Sequence, residues 1–283
     1  LKTDVGDAHW LAMLARAGLL RASFVPPAAL RELRLIARQR QKLVGQLASE
    51  KNRLHKVLTD SGIRLGVVVS DLHGQSARAM VKAIIAGHAP QQVIKLASRR
   101  LKASREEILD ALQGELSASH RFVLDELMRH IEEIEARISR FDARLLEGLE
   151  SERDTLALMQ TIPGIDQIGA AMLLVEIGAD MDDFGSADRL ASWVGVCPGN
   201  NESAGKRKSG HTRKGNPYVR RLLCEFAHAA SRTTSMFKSK FQALVVRRGY
   251  KRAIIAIGHK MLRTLFFMLK RREHYRDCAT DYE

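Results

Sequence analysis

The sequence is poor in aromatic residues and in cysteine. Aromatics make up 5% of its 283 residues, and the three cysteines, Cys197, Cys224 and Cys278, stand far apart. Few aromatics beside abundant Leu, Ile, Val and Ala favour helices over an all-β sandwich. An odd number of isolated cysteines excludes a disulfide framework and a zinc-binding spacing, and it predicts a reducing compartment.

Long uninterrupted apolar runs are also missing. The most apolar stretch, residues 254–269, contains His259, Lys260 and Arg263, so it is too short and too charged to span a membrane. Positive charge is abundant instead, with a formal net charge of +14. Because Lys and Arg neutralise phosphates and release counterions, this excess predicts DNA or RNA as the partner, and no membrane.

Helical periodicity dominates the first half of the chain. Apolar residues recur at helical steps over 28–58, and Ser104 followed by Glu107 predicts a capping box. A heptad pattern then runs through Leu124, Leu127, Ile131, Ile134, Ile138, Phe141 and Leu145. This spacing favours a coiled-coil arm, paired with the 28–58 helix or forming a dimer, although a long helix buried on one face gives a similar pattern.

A tight turn between two apolar runs is the first segment with a candidate function. Pro163 and Gly164 form the turn, and Gly169 lies in the first turn of the second run. The pattern is similar to a helix-hairpin-helix, in which backbone N–H groups contact a phosphate without reading sequence. A plain helical corner that uses Pro-Gly for its turn is the alternative.

The second segment, residues 203–221, combines basic residues with glycines and contains no acid. Its candidate nucleic-acid-binding residues are Lys206, Arg207, Lys208, Arg213, Lys214, Arg220 and Arg221. We predict that 206–208 lie in a loop and that a helix begins after Pro217. Glycines let the backbone approach a partner closely, so the segment favours contact with a sugar-phosphate strand over a merely solvated loop.

Two hydroxyls in this segment are candidate nucleophiles. Ser203 and Ser209 have cations nearby, which a serine needs if it is to attack phosphorus. From the residues alone, a hydrogen bond from serine to phosphate is the more common role.

Near the start of the sequence, Asp4 and Asp7 are spaced to share one face of a helix. Paired carboxylates suit Mg²⁺, but acids at a helix N-terminus are also common because they compensate the helix dipole. The pair by itself therefore favours the helix-dipole interpretation over a metal site.

Taken in order, these segments resemble a known family. The stretch 2–8 resembles the end of the DEDD acidic set of insertion-sequence transposases related to Piv-type DNA invertases. Matches over 155–230 resemble that family's C-terminal transposase domain: the turn at 162–165, Phe184, the segment 190–195, Pro198, Ser203 with Gly205 and Lys206, and 215–223. One departure is Ala204, where the family pattern has glycine after the serine.

The resemblance implies a fold and a site. The fold is mainly α: a remnant of a RuvC-like RNase H α/β domain at 1–27, a helical or coiled-coil region at 28–150, and a helical transposase domain at 151–283. Asp4 and Asp7 match the last two acids that hold Mg²⁺. Ser203 matches the serine that attaches to DNA, and Ser209 is the fallback.

The resemblance also implies partners and a location. These are DNA, a guide RNA and further copies of the chain in a dimer or tetramer, in a bacterial cytoplasm near the nucleoid. The family's first Asp and its Glu are expected upstream of Leu1, so we expect a truncated chain that cannot complete the metal site and is inactive as given. The alternatives are a non-enzymatic architectural DNA-binding protein and a RuvC-like junction resolvase that uses water instead of serine.

Overall fold

Helices form nearly all the regular structure in this computed structural model, which describes residues 3–20, 23–197, 201–203, 206–209, 212 and 214–277, with the backbone alone for 201–203 and 206–209. The prediction of a mainly α fold is confirmed. In chain order the elements are α1 (Asp4–Arg16), α2 (Ala28–Asp60), α3 (Leu65–Val68), α4 (Gln75–Ile85), α5 (Pro90–Val93), α6 (Arg105–Ala111), α7 (Ala118–Gly148), α8 (Arg153–Gln160), α9 (Gln167–Ile177), α10 (Ala187–Val194), β1 (Asn201–Ser203), β2 (Lys206–Ser209), α11 (Pro217–Ala230), α12 (Met236–Arg248) and α13 (Tyr250–Arg271).

Local capping explains where several helices begin. The Thr3 side chain accepts a hydrogen bond from the Gly6 amide at the start of α1. Ser104 and Glu107 form the predicted capping box at the start of α6, each bonding the backbone amide of the other. Such bonds satisfy amide groups that have no partner within the helix, so these boundaries were predictable from the sequence.

The chain divides into two compact units. One unit comprises Leu1–Arg34 with Gly148–Glu283, and the other comprises Leu35–Glu147. The predicted division into a RuvC-like remnant at 1–27, a helical or coiled-coil region at 28–150 and a transposase domain at 151–283 rests on the family resemblance. The two compact units do not test that resemblance, so the three-part division stays a prediction. No described helix is both long enough and apolar enough to cross a membrane.

In the unit Leu35–Glu147, α2 and α7 run antiparallel. Arg40 of α2 pairs with Asp142 of α7, and Lys51 further along α2 lies 3.2 Å from Glu135, which is earlier on α7. Four of the seven predicted heptad positions are buried, while Leu127, Ile138 and Phe141 are half-buried. A stripe of buried residues on one side of α7 fits both a coiled coil and a long helix that is buried on one face. The coiled coil therefore stays a prediction.

A partly buried ion network joins three helices of this unit. Two nitrogens of Arg78 on α4 donate to the two carboxylate oxygens of Glu135 on α7, at 2.8 and 2.9 Å, and Lys51 of α2 approaches the same carboxylate. These bonds, with Arg78 first, lower the pKa of Glu135 to about 2. The bidentate geometry fixes the distance and the orientation of the helices.

In the unit that contains the C-terminal segment, α9 forms the centre. All of its residues from Gly169 to Ile177 are buried, and it packs on α8 and α11. Helix α13 packs on α8, α10, α11 and α12. The approach of α11 and α13 is close, since a Cβ atom on Gly258 would lie 3.2 Å from the Leu223 carbonyl oxygen.

We predict that Glu135→Gln destabilises the protein by about 1 to 2 kcal/mol at pH 7, because it removes the charge that Arg78 and Lys51 share. The lowered pKa means that this stabilisation is present above about pH 4.5 and disappears as the pH falls toward 2. Denaturant unfolding at pH 7 and pH 3 measures both effects. The exposed Glu133→Gln is the matched control, and an equal loss in both variants would contradict the prediction.

Candidate nucleic-acid interface

The candidate serine lies in a two-stranded hairpin. Strands β1 and β2 pair antiparallel, with Ser203 opposite Lys206 and Glu202 opposite Arg207. Ser209 lies at the far end of β2, opposite Asn201. The prediction of a loop over 206–208 was wrong, because these strands lack the alternation of apolar residues that marks a strand in a sequence.

The chain beyond the hairpin is fixed by close backbone packing at Gly215. A Cβ atom at this position would lie 2.4 Å from the Val194 carbonyl oxygen and 2.5 Å from the Gly195 nitrogen, so only glycine fits. The next residue, Asn216, donates its backbone amide to the Trp193 carbonyl at 3.3 Å. The basic segment 203–221 therefore packs against the end of α10 where it enters the helical core. We call this contact of Gly215 and Asn216 with α10 the platform.

Asn216 also starts α11. Its side-chain oxygen accepts hydrogen bonds from the amides of Tyr218 and Val219, at 3.0 and 3.3 Å, and Pro217 occupies the first helical position. Both choices favour a helix start, since Asn satisfies free amides and proline has no amide to satisfy. The predicted helix after Pro217 is confirmed.

A buried carboxylate holds Asn216 in place. Glu176 on α9 is 1% exposed, and its Oε2 accepts a hydrogen bond from the Asn216 side-chain amide at 2.9 Å. The same oxygen lies 3.4 Å from Nε of Arg34, which also donates to the Val175 carbonyl. Because an unpaired buried carboxylate is very unfavourable, Arg34 and Asn216 together make the burial of Glu176 possible.

Aromatic side chains pack around the same platform. Phe24, Phe184 and Trp193 form a cluster with ring centroids 4.6 to 5.8 Å apart, and the Arg34 guanidinium lies 5.8 Å from the centre of the Phe24 ring. Such contacts stabilise a core beyond the area they bury. Phe184 and Trp193, two positions of the family resemblance, are thus packing residues beneath the basic segment.

The turn at Pro163 and Gly164 packs against α11. A Cβ atom on Gly164 would lie 2.6 Å from the Phe226 carbonyl oxygen, and one on Gly169 would lie 2.5 Å from the Phe226 ring. The side chain of Asp166 accepts the Gly169 amide at 2.7 Å and caps α9. Close helix packing accounts for both glycines, and phosphate contact at this turn stays a prediction.

The remaining predicted cations differ in their surroundings. Lys214 is exposed, Arg220 is half-buried, and Arg221 is exposed with its Nε 3.1 Å from Glu225. Lys206, Arg207 and Lys208 follow one another along β2, while Arg213 lies outside the described residues. Burial raises the pKa of the Cys224 thiol on α11, and a raised pKa does not favour a reactive thiolate.

The two candidate metal-binding acids lie together on α1. Asp4 and Asp7 occupy its first turn and both are exposed, on a helix with no buried residue. Among the described residues, no group of three or more His, Cys, Asp or Glu side chains is placed to hold a metal. Carboxylate oxygens are ligands that Mg²⁺ prefers, so the two acids have suitable donor chemistry, and their role as metal ligands stays a prediction.

Sequence reasoning missed Arg34 and Glu176. One signal was present: Glu176 is the only charged residue in the otherwise apolar run 168–177. A single acid in a fully buried helix indicates a partner elsewhere in the fold, because burial of an unpaired charge is costly. The partner itself was not predictable, since Arg34 lies 142 positions away.

Two family models match the chain. Residues 156–242 match a model described as transposase IS116/IS110/IS902 family, and residues 1–62 match an IS110-type DEDD model described as transposase. The first match contains the hairpin, the Gly215–Asn216 platform and Glu176, and the second contains Asp4, Asp7 and Arg34.

Curated relatives align over part of their length. The chain is 26% identical over 190 residues to the "Probable family 20 transposase" of Pseudomonas aeruginosa, covering 64% of this chain and 56% of that protein. It is 28% identical over 136 residues to the transposase for insertion sequence element IS1111A of Coxiella burnetii, covering 46% and 37%. The alignments thus span about half or less of these relatives.

We predict that Gly164→Ala destabilises the protein by about 2 to 4 kcal/mol. Its φ of +92° is strained for a side chain, and the added Cβ meets the α11 backbone. Gly45→Ala in α2 is the control, because a Cβ there meets nothing within 4 Å and alanine favours a helix. Equal unfolding free energies for the two variants would refute close packing at Gly164.

An exchange of the carboxylate and the amide between positions 176 and 216 tests the hydrogen bond that joins Glu176 and Asn216. We expect Glu176→Gln and Asn216→Asp each to lower stability by about 2 to 3 kcal/mol, the first by removing the partner of Arg34 and the second by facing two carboxylates. In the double variant, the new amide at position 176 can donate to the new carboxylate at position 216, which still caps α11, so at least half of the loss should return. Additive losses, measured by denaturant unfolding with exposed Asn52→Asp as control, would mean that the two residues do not interact.

Proposed function

We propose, since the chain belongs to the IS110/IS116 family of insertion-sequence transposases, that it cuts and rejoins DNA with the hairpin β1–β2 as the reacting segment. The observation that carries the proposal is the register of that hairpin, in which Lys206 is the partner of Ser203. A cation at this position favours an ionised serine and a negatively charged phosphoryl group.

The proposed chemistry is one substitution at phosphorus. The hydroxyl oxygen of Ser203 forms a bond to a backbone phosphorus, and the bond from that phosphorus to one sugar oxygen breaks. The sugar oxygen leaves as a hydroxyl after taking up a proton. Because one phosphoester replaces another, the phosphoserine link keeps the bond energy for rejoining, which occurs by the reverse step on a new sugar hydroxyl.

The positioning of Ser203 is proposed to depend on the platform. Gly215 and Asn216 tie the C-terminal end of the basic segment to α10 and α11, and Glu176 holds Asn216 from the core. A nucleophile must stay within a few tenths of an ångström of its productive position, so a rigid anchor near the reacting segment contributes to the rate. Lys206, Arg207 and Arg220 are proposed to contact the phosphate.

Asp4 and Asp7 are proposed to hold a divalent metal ion, Mg²⁺, as two members of the family's acidic set. When bound, this ion would lower the pKa of the attacking group and stabilise charge on the phosphoryl oxygens. We also propose that a guide RNA pairs with the DNA, that the protein is a dimer or tetramer, and that it is cytoplasmic. A relation to the Piv-type invertases belongs to the same proposal.

We predict that Ser203→Ala abolishes covalent protein–DNA adducts, because it removes the attacking oxygen. The test uses the full-length protein that the gene encodes, DNA carrying the element ends, the element's RNA and Mg²⁺, with adducts read on a denaturing gel. The matched control Ser209→Ala should keep its adducts.

Three results would contradict the assignment. Adducts that persist in Ser203→Ala but vanish in Ser209→Ala would move the nucleophile to Ser209. Cleavage without adducts, unaffected by either change, would favour a resolvase that uses water. DNA binding without cleavage by any variant would favour an architectural protein.

A further inference from the structure

A second basic surface lies outside the hairpin segment. From Phe226 to Arg272 the sequence contains no Asp or Glu. Six exposed cations of this stretch gather where α11 ends, along α12, and where α13 begins, and we call them the α12–α13 corner: Arg232, Lys240, Arg247, Arg248, Lys251 and Arg252. No motif assigned above includes them.

The cations of the corner lack the neutralising partners that other cations of this unit have. Arg263 pairs with Asp188, and Lys270 Nζ lies 2.8 Å from Asp182. None of the six corner residues forms an ion pair with a carboxylate within the described ranges. Uncompensated like charges repel one another, so this surface is most stable when an anion covers it.

The corner is built on a fixed frame. Gly249, with φ of +75°, turns the chain between α12 and α13. The Tyr250 hydroxyl lies 2.7 Å from Nδ1 of His228 on α11, and its ring meets Phe241 of α12 edge-on, with centroids 5.4 Å apart. Three helices thus meet at Tyr250, and the cations project from rigid elements.

Helix stability does not explain the charges at the start of α13. Lys251 and Arg252 occupy its first turn, which has no acidic residue and no side-chain cap. Cations at this end of a helix oppose the helix dipole, at a cost of several tenths of a kcal/mol each. Lys251 and Arg252 therefore add positive charge at some expense to α13, beside Arg247 and Arg248, which are favourably placed in the last turn of α12.

We propose that the α12–α13 corner binds the sugar-phosphate backbone of a nucleic acid, as a second surface in addition to the hairpin segment. The choice of a nucleic acid over other polyanions rests on the proposed function. The hairpin segment adjoins the start of α11 at Asn216, and the corner adjoins its end near His228. These two residues lie about 18 Å apart along the helix axis. That distance equals about five base pairs of duplex, so the separation of the two surfaces along α11 is within the length of a short duplex.

The test replaces Lys240, Arg247, Arg248 and Lys251 by Gln in the 283-residue chain. Glutamine keeps the helix propensity and removes the charges. The matched control makes the same change at Lys42, Lys56, Arg64 and Arg100, exposed cations of the other unit that form no ion pair with a described carboxylate. Thermal unfolding first checks that both variants keep the stability of the parent chain.

The probes are a DNA duplex of about 30 base pairs and arbitrary sequence, an RNA hairpin with a stem of equal length, and vesicles with anionic headgroups. We expect the corner variant to bind at least one nucleic acid roughly tenfold more weakly, and the slope of log affinity against log salt to fall by about 3 to 4, because each lost phosphate contact contributes about 0.9. The control should keep the parent affinity and slope. Loss on the DNA or on the RNA identifies which backbone the corner prefers.

Several outcomes would overturn the proposal: unchanged nucleic-acid affinity and slope in the corner variant, an equal loss in the control, or a loss confined to the vesicles. The readout is binding, so it does not depend on the serine chemistry. Failure of Ser203→Ala to abolish adducts would therefore refute the proposed reaction and leave this result intact, and the reverse also holds.

Discussion

The buried carboxylate of Glu176 is the constraint on which the arrangement of the candidate site depends. It lies in the centre of a unit whose other buried groups are almost all apolar, and it reaches Arg34 from the N-terminal segment and Asn216 from the basic segment. Loss of Arg34 would remove the cation that faces the buried carboxylate, and loss of Asn216 would remove one of its hydrogen bonds, and each loss is unfavourable in a low-dielectric interior. One interaction therefore joins two parts of the sequence that match separate family models.

Most of the residues that carry the family resemblance have a packing role in this structure. Gly164 allows close contact with α11, Gly215 allows contact with α10, and Trp193 belongs to the aromatic cluster. The proposed chemistry is assigned to the hairpin, which lies in the sequence between Trp193 and Gly215. A reacting segment needs a scaffold of this kind, because precise placement of a nucleophile requires that its supports be rigid.

The sequence was most informative where the causes are local. The bounds of α1 and α6 follow from capping by Thr3 and Ser104, and the start of α11 follows from Pro217. The hairpin was missed because its strands are short and polar, without a periodic pattern. The Arg34–Glu176 pair was missed because it depends on tertiary contact across 142 positions. The resemblance supplied Ser203, Asp4 and Asp7, which the residues alone left undecided.

Ultraviolet cross-linking of the 283-residue chain to duplex DNA, followed by mass spectrometry of the cross-linked peptides, tests most directly where nucleic acid lies. If the two basic surfaces at the ends of α11 form the interface, nucleotide-linked peptides will come from 201–221 and from 232–252. Cross-links confined to residues 35–147 or to α1 would contradict this interface and, with it, the functional interpretation of the hairpin.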